Sequence, residues 1–416
     1  MPSSATETLA AIDRFLKKAA QPVLLEPGER EVSLITDSYS LELSAGQVRI
    51  HAWADERTYT RHITGIRAEQ PHSLELTFRR LGRPSGVLRI VDAGHGRSVE
   101  LRRRGARELH REGFRLALAR QFPDWKVEQI TTGADLEHSL SPAYPRATLR
   151  RGTSLLAAIL APADSASGPD GVLTFGLIWL DYLRRRESKR VVESLAISVP
   201  EPKARNTALR LRWLDNSRIH VQLFLFGETG ETRVDPRDWG NIETRLMAPP
   251  AHPAVRIGQP EGDLEIAVRN SITAIDAALL SDPVYRQAPA MAAADRGIMD
   301  LVAVDREGRL AVLELKAIQD IQMPLQALDY WMRVRWHLDC GDFSRLGYFP
   351  NVPLSTRAPL LYLVAPALEF HPAHDTVLQF LERTVPVVRV GLGANWKKEL
   401  KVIFRQEHHE RFRSTS

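Results

Sequence analysis

The chain has 416 residues, 44% apolar and 26% charged, which describes a folded globular protein and excludes an intrinsically disordered one. Its length exceeds what one core accommodates, so two or three domains are expected. With 56 basic and 51 acidic residues, the formal charge of +5 is too small an excess to name a polyanionic partner. A single cysteine, Cys340, excludes an intramolecular disulfide framework and a cysteine-built metal cluster. The longest apolar runs, such as 154–163, are too short to span a bilayer. The first residues lack the basic-then-apolar pattern of a signal peptide, so a cytoplasmic protein without a membrane partner is expected.

In chain order, residues 5–20 have helical spacing, with Leu9, Ile12, Phe15 and Leu16 on one side. From Glu31 to Ala93 short alternating runs separated by glycines predict a small antiparallel β domain. Between Leu101 and Arg120 lie seven arginines, Arg102, Arg103, Arg104, Arg107, Arg111, Arg115 and Arg120. Such a cluster can neutralise phosphates, with Arg102, Arg103, Arg107 and Arg111 as candidate nucleic-acid ligands. A solvated helix face with local glutamate partners is the alternative. The segment Arg184–Arg190 is nearly as basic. From residue 107 helices and strands alternate, and proline-rich joints near 248–260 divide this region in two. The expected layout is a helix and β-rich domain over 1–103, an α/β domain over 104–250 and a second α/β domain over 251–416.

An acid, a spacer and a lysine occur five times, at Asp124–Lys126, Glu187–Lys189, Glu201–Lys203, Glu314–Lys316 and Glu399–Lys401. Only Glu314-Leu-Lys316 closes an apolar run, Leu310–Leu315, that reads as a central strand. Strand side chains alternate, so Glu314 and Lys316 project to one face, about 7 Å apart along the chain. Upstream, Asp300 opens a second apolar strand, and the turn Asp305-Arg-Glu-Gly308 joins the two as a hairpin that would bring Asp300 beside Glu314. Two adjoining carboxylates repel one another unless a cation reverses the balance. Magnesium favours one or two carboxylates with substrate phosphate and water, and the Leu315 carbonyl is a further candidate ligand. Lys316 could orient the attacking water or stabilise the developing charge. Glu265 lies near the start of an amphipathic helix before the hairpin. After it, Gln326, Tyr330, Arg333 and His337 form a polar stripe on an otherwise apolar helix, with Arg333 placed to contact phosphate.

In this order, Glu265, Asp300, Glu314-Leu-Lys316 and Gln326-(three residues)-Tyr330 resemble the RecB-type branch of the PD-(D/E)xK nucleases. The likeness is greatest to the C-terminal nuclease domain of NucS-type mismatch and branched-DNA endonucleases. It covers roughly Glu261–His337, and Met299 stands where the family name has a proline. Glu261 competes with Glu265 for the helix-borne acid. The resemblance implies a restriction-endonuclease-like fold, a mixed central sheet flanked by helices. It also implies Mg2+ (Mn2+ as a substitute) held by the acids, Lys316 serving the attacking water, and Gln326 and Tyr330 supporting the site. The implied function is a DNA endonuclease of repair or defence, with homodimers making double-strand breaks. Its rivals are a DNA-binding or assembly protein with a vestigial site, an RNA-directed nuclease and a restriction-type enzyme.

The first α/β region echoes the second. Gly152 and Leu155–Leu160 echo Gly308 and Leu310–Leu315, and Leu180-Asp-Tyr182 echoes Leu328-Asp-Tyr330. Aligning the two glycines puts Ala158 at the Glu314 position, Leu160 at the Lys316 position and Tyr144 at the Asp300 position. Residues 107–245 read either as a degenerate nuclease-like copy or as an α/β unit sharing only the rhythm.

Overall fold

The structure is a computed structural model describing residues 4–26, 32–35, 38–44, 47–54, 57–79, 86–93, 111–161, 169–227, 230–242, 244–249, 260–286, 289–291, 296–298 and 301–408. Its class is the mixed α/β and β expected from sequence: a seven-stranded sheet, two six-stranded sheets and a two-stranded ribbon among the described residues. No helix among them is long and apolar enough to cross a membrane. The chain forms two compact units, Met1–Ala204 with His220–Val234, and Arg205–Ile219 with Asp235–Ser416.

In the first unit, helix α1 (Ala5–Lys18) starts with a capping box in which Ser4 and Glu7 exchange hydrogen bonds. Its Ile12, Phe15 and Leu16 join the core of a sheet ordered β2-β1-β7-β6-β5-β4-β3. The strands are β1 (Pro22–Leu25), β2 (Val32–Ser33), β3 (Tyr39–Ser44), β4 (Gln47–Ala54), β5 (Arg57–Gln70), β6 (Ser73–Phe78) and β7 (Gly86–Asp92). Burial alternates strictly along β6, as in an antiparallel sheet covered on one face.

The same unit holds the first six-stranded sheet. It consists of β8 (Lys126–Thr131), β9 (Arg146–Arg151), β10 (Ser154–Leu160), β11 (Val191–Pro200), β12 (His220–Gly227) and β13 (Gly230–Val234), in that spatial order. Helical residues 111–121 (α2) precede it, α3 (Pro169–Arg186) joins β10 to β11, and α4 (Glu201–Leu211) follows β11. The pairings from β8 onward run antiparallel, antiparallel, parallel, parallel, antiparallel.

The second unit repeats this frame. Helices α5 (Pro260–Asn270) and α6 (Ile272–Ile275) precede β14 (Tyr285–Arg286), the ribbon of β15 (Pro289–Met291) and β16 (Arg296–Ile298), then β17 (Leu301–Val304) and β18 (Leu310–Leu315). Helices α7 (Met323–Asp339) and α8 (Asp342–Arg345) lead to β19 (Leu360–Pro366), and α9 (His374–Leu378) leads to β20 (Val387–Leu392) and β21 (Val402–Glu407). The order β14-β17-β18-β19-β20-β21 has the same sequence of senses as the first sheet. Helix α3 packs on β10 and β11 as α7 packs on β18 and β19.

The glycine-based register between the two sheets is corrected by the packing. Ala158, paired with Ala147, joins a core with Phe114 and Leu118 of α2. Its counterpart is Leu313, paired with Leu301 and packed with Leu264 and Val268 of α5. Glu314 and Lys316 therefore correspond to Ile159 and Ala161, not to Ala158 and Leu160. Arg146, which precedes Ala147 as Asp300 precedes Leu301, takes the place assigned to Tyr144. The turns cause the slip: Arg151 pairs with Ser154 around Gly152 and Thr153, whereas Val304 pairs with Leu310 around 305–309. A one-residue error moves every side chain to the opposite face.

Gly308 holds the longer turn. Its φ is +78°, and a Cβ there would overlap the Pro353 carbonyl oxygen. Gly308→Ala is expected to destabilise the fold by about 1–3 kcal/mol in denaturant titration. Unchanged stability would show that this turn relaxes freely.

Candidate active site

Strand β18 is buried along its whole length, and Glu314 within it is 1% exposed. Leu313 and Leu315 fill the core beneath α5, so alternation turns Glu314 to the other face, where α7 packs. Lys316 follows the strand end, its N–H donating to the Val364 carbonyl. Its Nζ lies 3.1 Å from Glu314 Oε1 and 3.5 Å from Asp320 Oδ2. The structure thus brings Glu314 and Lys316 together and adds Asp320. The signal for Asp320 was an acid four residues after the lysine, just ahead of a proline-started helix. The other four acid-spacer-lysine matches have half-exposed or exposed acids. Glu399 and Lys401 precede edge strand β21 rather than forming an edge strand themselves.

The loop from Lys316 into α7 is fixed from several sides. The Gln322 N–H donates to Asp320 Oδ1 at 3.0 Å, and the Gln319 N–H to Glu369 Oε2 at 3.0 Å. His374, fully buried, donates from Nε2 to the Asp320 carbonyl at 2.7 Å. Burial pushes this imidazole down to about 4, whereas an unfolded histidine titrates near 6.5. Stability from the neutral ring is complete above about pH 6.5 and is lost as pH falls toward 4, by up to about 3 kcal/mol. Denaturant unfolding between about pH 7 and pH 4.5 should therefore decline more steeply in the parent than in His374→Gln. Equal slopes would remove His374 as the cause.

The remaining expected residues fall into three groups. Glu265 is buried on α5 and paired with Arg286 of β14, the side chains being 5% and 3% exposed. A buried pair that loses one partner leaves an uncompensated charge, so Glu265→Gln should lower unfolding free energy by about 3–5 kcal/mol. No loss of stability would show that Glu265 is not committed to Arg286. Gln326 and Tyr330 are half-buried, one turn apart on α7. The Gln326 backbone N–H donates to the Gln322 carbonyl at 3.1 Å. Leu315 is the last residue of β18.

Arg333 requires correction. It is 1% exposed and bound to Asp329 at 2.8 Å, and Asp329 also meets Arg210 at 3.2 Å. Such a guanidinium is not offered to a phosphate. His337 is likewise buried, with Nδ1 2.6 Å from Asp342 and Nε2 3.1 Å from Thr244 Oγ1. The expected stripe therefore turns inward at its second half, because α7 is covered on nearly all sides. Asp300, Arg102, Arg103 and Arg107 lie outside the described residues. Arg111 is exposed at the first described residue of α2.

No family model matches the chain, and no curated protein matches it in sequence. Among the described residues no three His, Cys, Asp or Glu side chains form a metal-holding group. The donor types do suit a hard cation: the Glu314 carboxylate and the Leu315 carbonyl are oxygens, adjoining a lysine that can face a polyanion. Leu301, which follows Asp300 in sequence, lies across from Leu313, which precedes Glu314.

Proposed function

We propose that the second unit is a magnesium-dependent DNA endonuclease of the PD-(D/E)xK type. The observation that carries this reading is Glu314, 1% exposed at the end of a central strand, with Lys316 Nζ 3.1 Å away. Burial of a carboxylate is costly unless it is compensated, and such arrangements concentrate where chemistry is done. Asp300, Glu314 and the Leu315 carbonyl would hold Mg2+, or Mn2+ in its place. The bound ion would supply positive charge at the phosphate and a more acidic water.

The protein's own residues divide the remaining work. Lys316 donates hydrogen bonds to the attacking water or to the phosphate oxygens as charge grows on them. Water oxygen bonds to phosphorus and gives up a proton to solvent, one P–O ester bond breaks, and the departing oxygen takes a proton from solvent. Asp320, 3.5 Å from the ammonium, orients Lys316 toward the strand end. The rigid loop behind Asp320 limits how far that ammonium can swing.

The test is cleavage of single-stranded, duplex, mismatched and forked DNA, with RNA alongside, in Mg2+ or Mn2+. The parent should cut at least one DNA. Glu314→Gln and Lys316→Met should each lower the rate about 100-fold or more. Cleavage by Glu314→Gln at the parental rate would sink the mechanism. No cleavage of any DNA by the parent would leave a DNA-binding or assembly protein with a vestigial site.

A further inference from the structure

The first six-stranded sheet carries the same frame as the candidate nuclease sheet but quite different residues at the corresponding place. Ile159 replaces the acid, Ala161 replaces the lysine, and Arg146 stands at the position of the leading aspartate. Arg146 is 1% exposed, and it donates to the carbonyls of Ser141 at 2.7 Å and Gly133 at 2.8 Å. Burial pushes its guanidinium down to about 10. A positive charge and two apolar side chains cannot assemble a divalent-cation site.

Beside Arg146 the structure builds a column of rings. The Arg146 guanidinium lies 5.7 Å from the Trp179 ring centroid. Trp179, 3% exposed, stacks on Tyr182 at 5.5 Å with 21° between planes. Tyr182 in turn meets His138 at 4.4 Å, the two rings tilted by 56°. The column passes from the buried indole to an imidazole that is 38% exposed, and Asp135 fixes that imidazole at 2.9 Å through Nδ1. Arg186, which pairs with Glu187 at 3.0 Å, covers the Tyr182 ring at 5.4 Å and belongs to the basic last turn of α3 with Arg184 and the exposed Arg185, itself paired with Asp181.

We infer that this column is a binding platform for single-stranded nucleic acid, on which an unpaired base stacks against His138 while the α3 arginines meet its phosphates. An aromatic end flanked by arginines suits a strand that carries a π-face and a negative charge at every residue. Asp135 and Tyr182 hold the imidazole in one orientation before the base arrives, which lowers the ordering cost of binding. The inference rests on the nucleic-acid reading of the second unit, but it concerns binding and needs no cleavage.

The experiment uses the full chain with calcium in place of magnesium and follows fluorescence anisotropy of a labelled oligothymidylate and of an abasic strand of equal length. The parent should bind the thymidine strand about ten-fold tighter than the abasic one. His138→Ala and Tyr182→Leu should each erase that preference and leave abasic binding unchanged. Arg186→Gln should weaken both strands and reduce the salt dependence by about one counterion. Thermal melts separate these effects from misfolding, and His138, on a half-exposed turn, is the variant least able to disturb the core. Equal binding of the two strands by the parent, no binding by the parent, or an undiminished preference in folded His138→Ala would each overturn the platform. Cleavage is measured separately, so a parent that binds but cuts no DNA, or Glu314→Gln cutting at the parental rate, counts against the nuclease reading alone.

Discussion

A carboxylate inside a strand covered on both faces must be compensated where it sits, and Glu314 sets that condition for the second unit. Part of that compensation is Lys316, carried two residues on by the strand's own alternation. The ammonium then needs its own boundary, which Asp320 supplies, and Asp320 is held by a loop pinned to Glu369 and His374. Each step moves charge away from the core centre toward the end of the sheet. A polar arrangement this connected is tolerable only when its members stay satisfied, and it tolerates little local motion. The charged end of the strand is thus stiff for electrostatic reasons as much as for packing reasons.

The two six-stranded sheets show how little of a fold is tied to chemistry. Strand order, strand sense and the helix between the third and fourth strands are shared. Both third-position helices carry an aspartate paired with an arginine four residues on, Asp181 with Arg185 and Asp329 with Arg333. The difference lies in the strand ends. One sheet invests them in Glu314 and Lys316, and the other in Ile159, Ala161 and the carbonyl-bound Arg146. With apolar residues in place of the acid and the lysine, the charge left to compensate there is Arg146, and the Ser141 and Gly133 carbonyls meet it.

Much of this was legible in the sequence wherever periodicity and burial agree. The apolar run Leu310–Leu315 could only be a buried strand, and its glutamate and following lysine stood out because neither belongs in one. The β-rich first segment was readable from its alternation, as β6 illustrates. Arg333 and His337 were misread because helical spacing shows which residues share a face but not whether that face meets water. Arg333 is held by Asp329, which also binds the remote Arg210, and His337 meets the remote Thr244. The repeat was visible as rhythm, yet its register failed at a turn, where length is set by local backbone geometry rather than by side-chain pattern. Asp320 was passed over because an acid in a loop resembles any solvated turn residue until a lysine and a buried histidine are found beside it.

The two units are not consecutive pieces of chain. Residues 205–219 belong to the second unit, where Arg210 meets Asp329, Trp213 packs edge-on against Trp331 at 4.7 Å, and the Asp215 N–H bonds the Phe380 carbonyl. A gene cut at the proline-rich joint near 250 would therefore yield a fragment whose α7 lacks a ring partner and a guanidinium. Asp329 would keep Arg333 but lose the second cation that shares its carboxylate. The natural dissection is one that carries the 205–219 segment along, either by circular permutation or by supplying it as a separate peptide. Modular exchange of the second unit with another protein is hindered by the same interleaving.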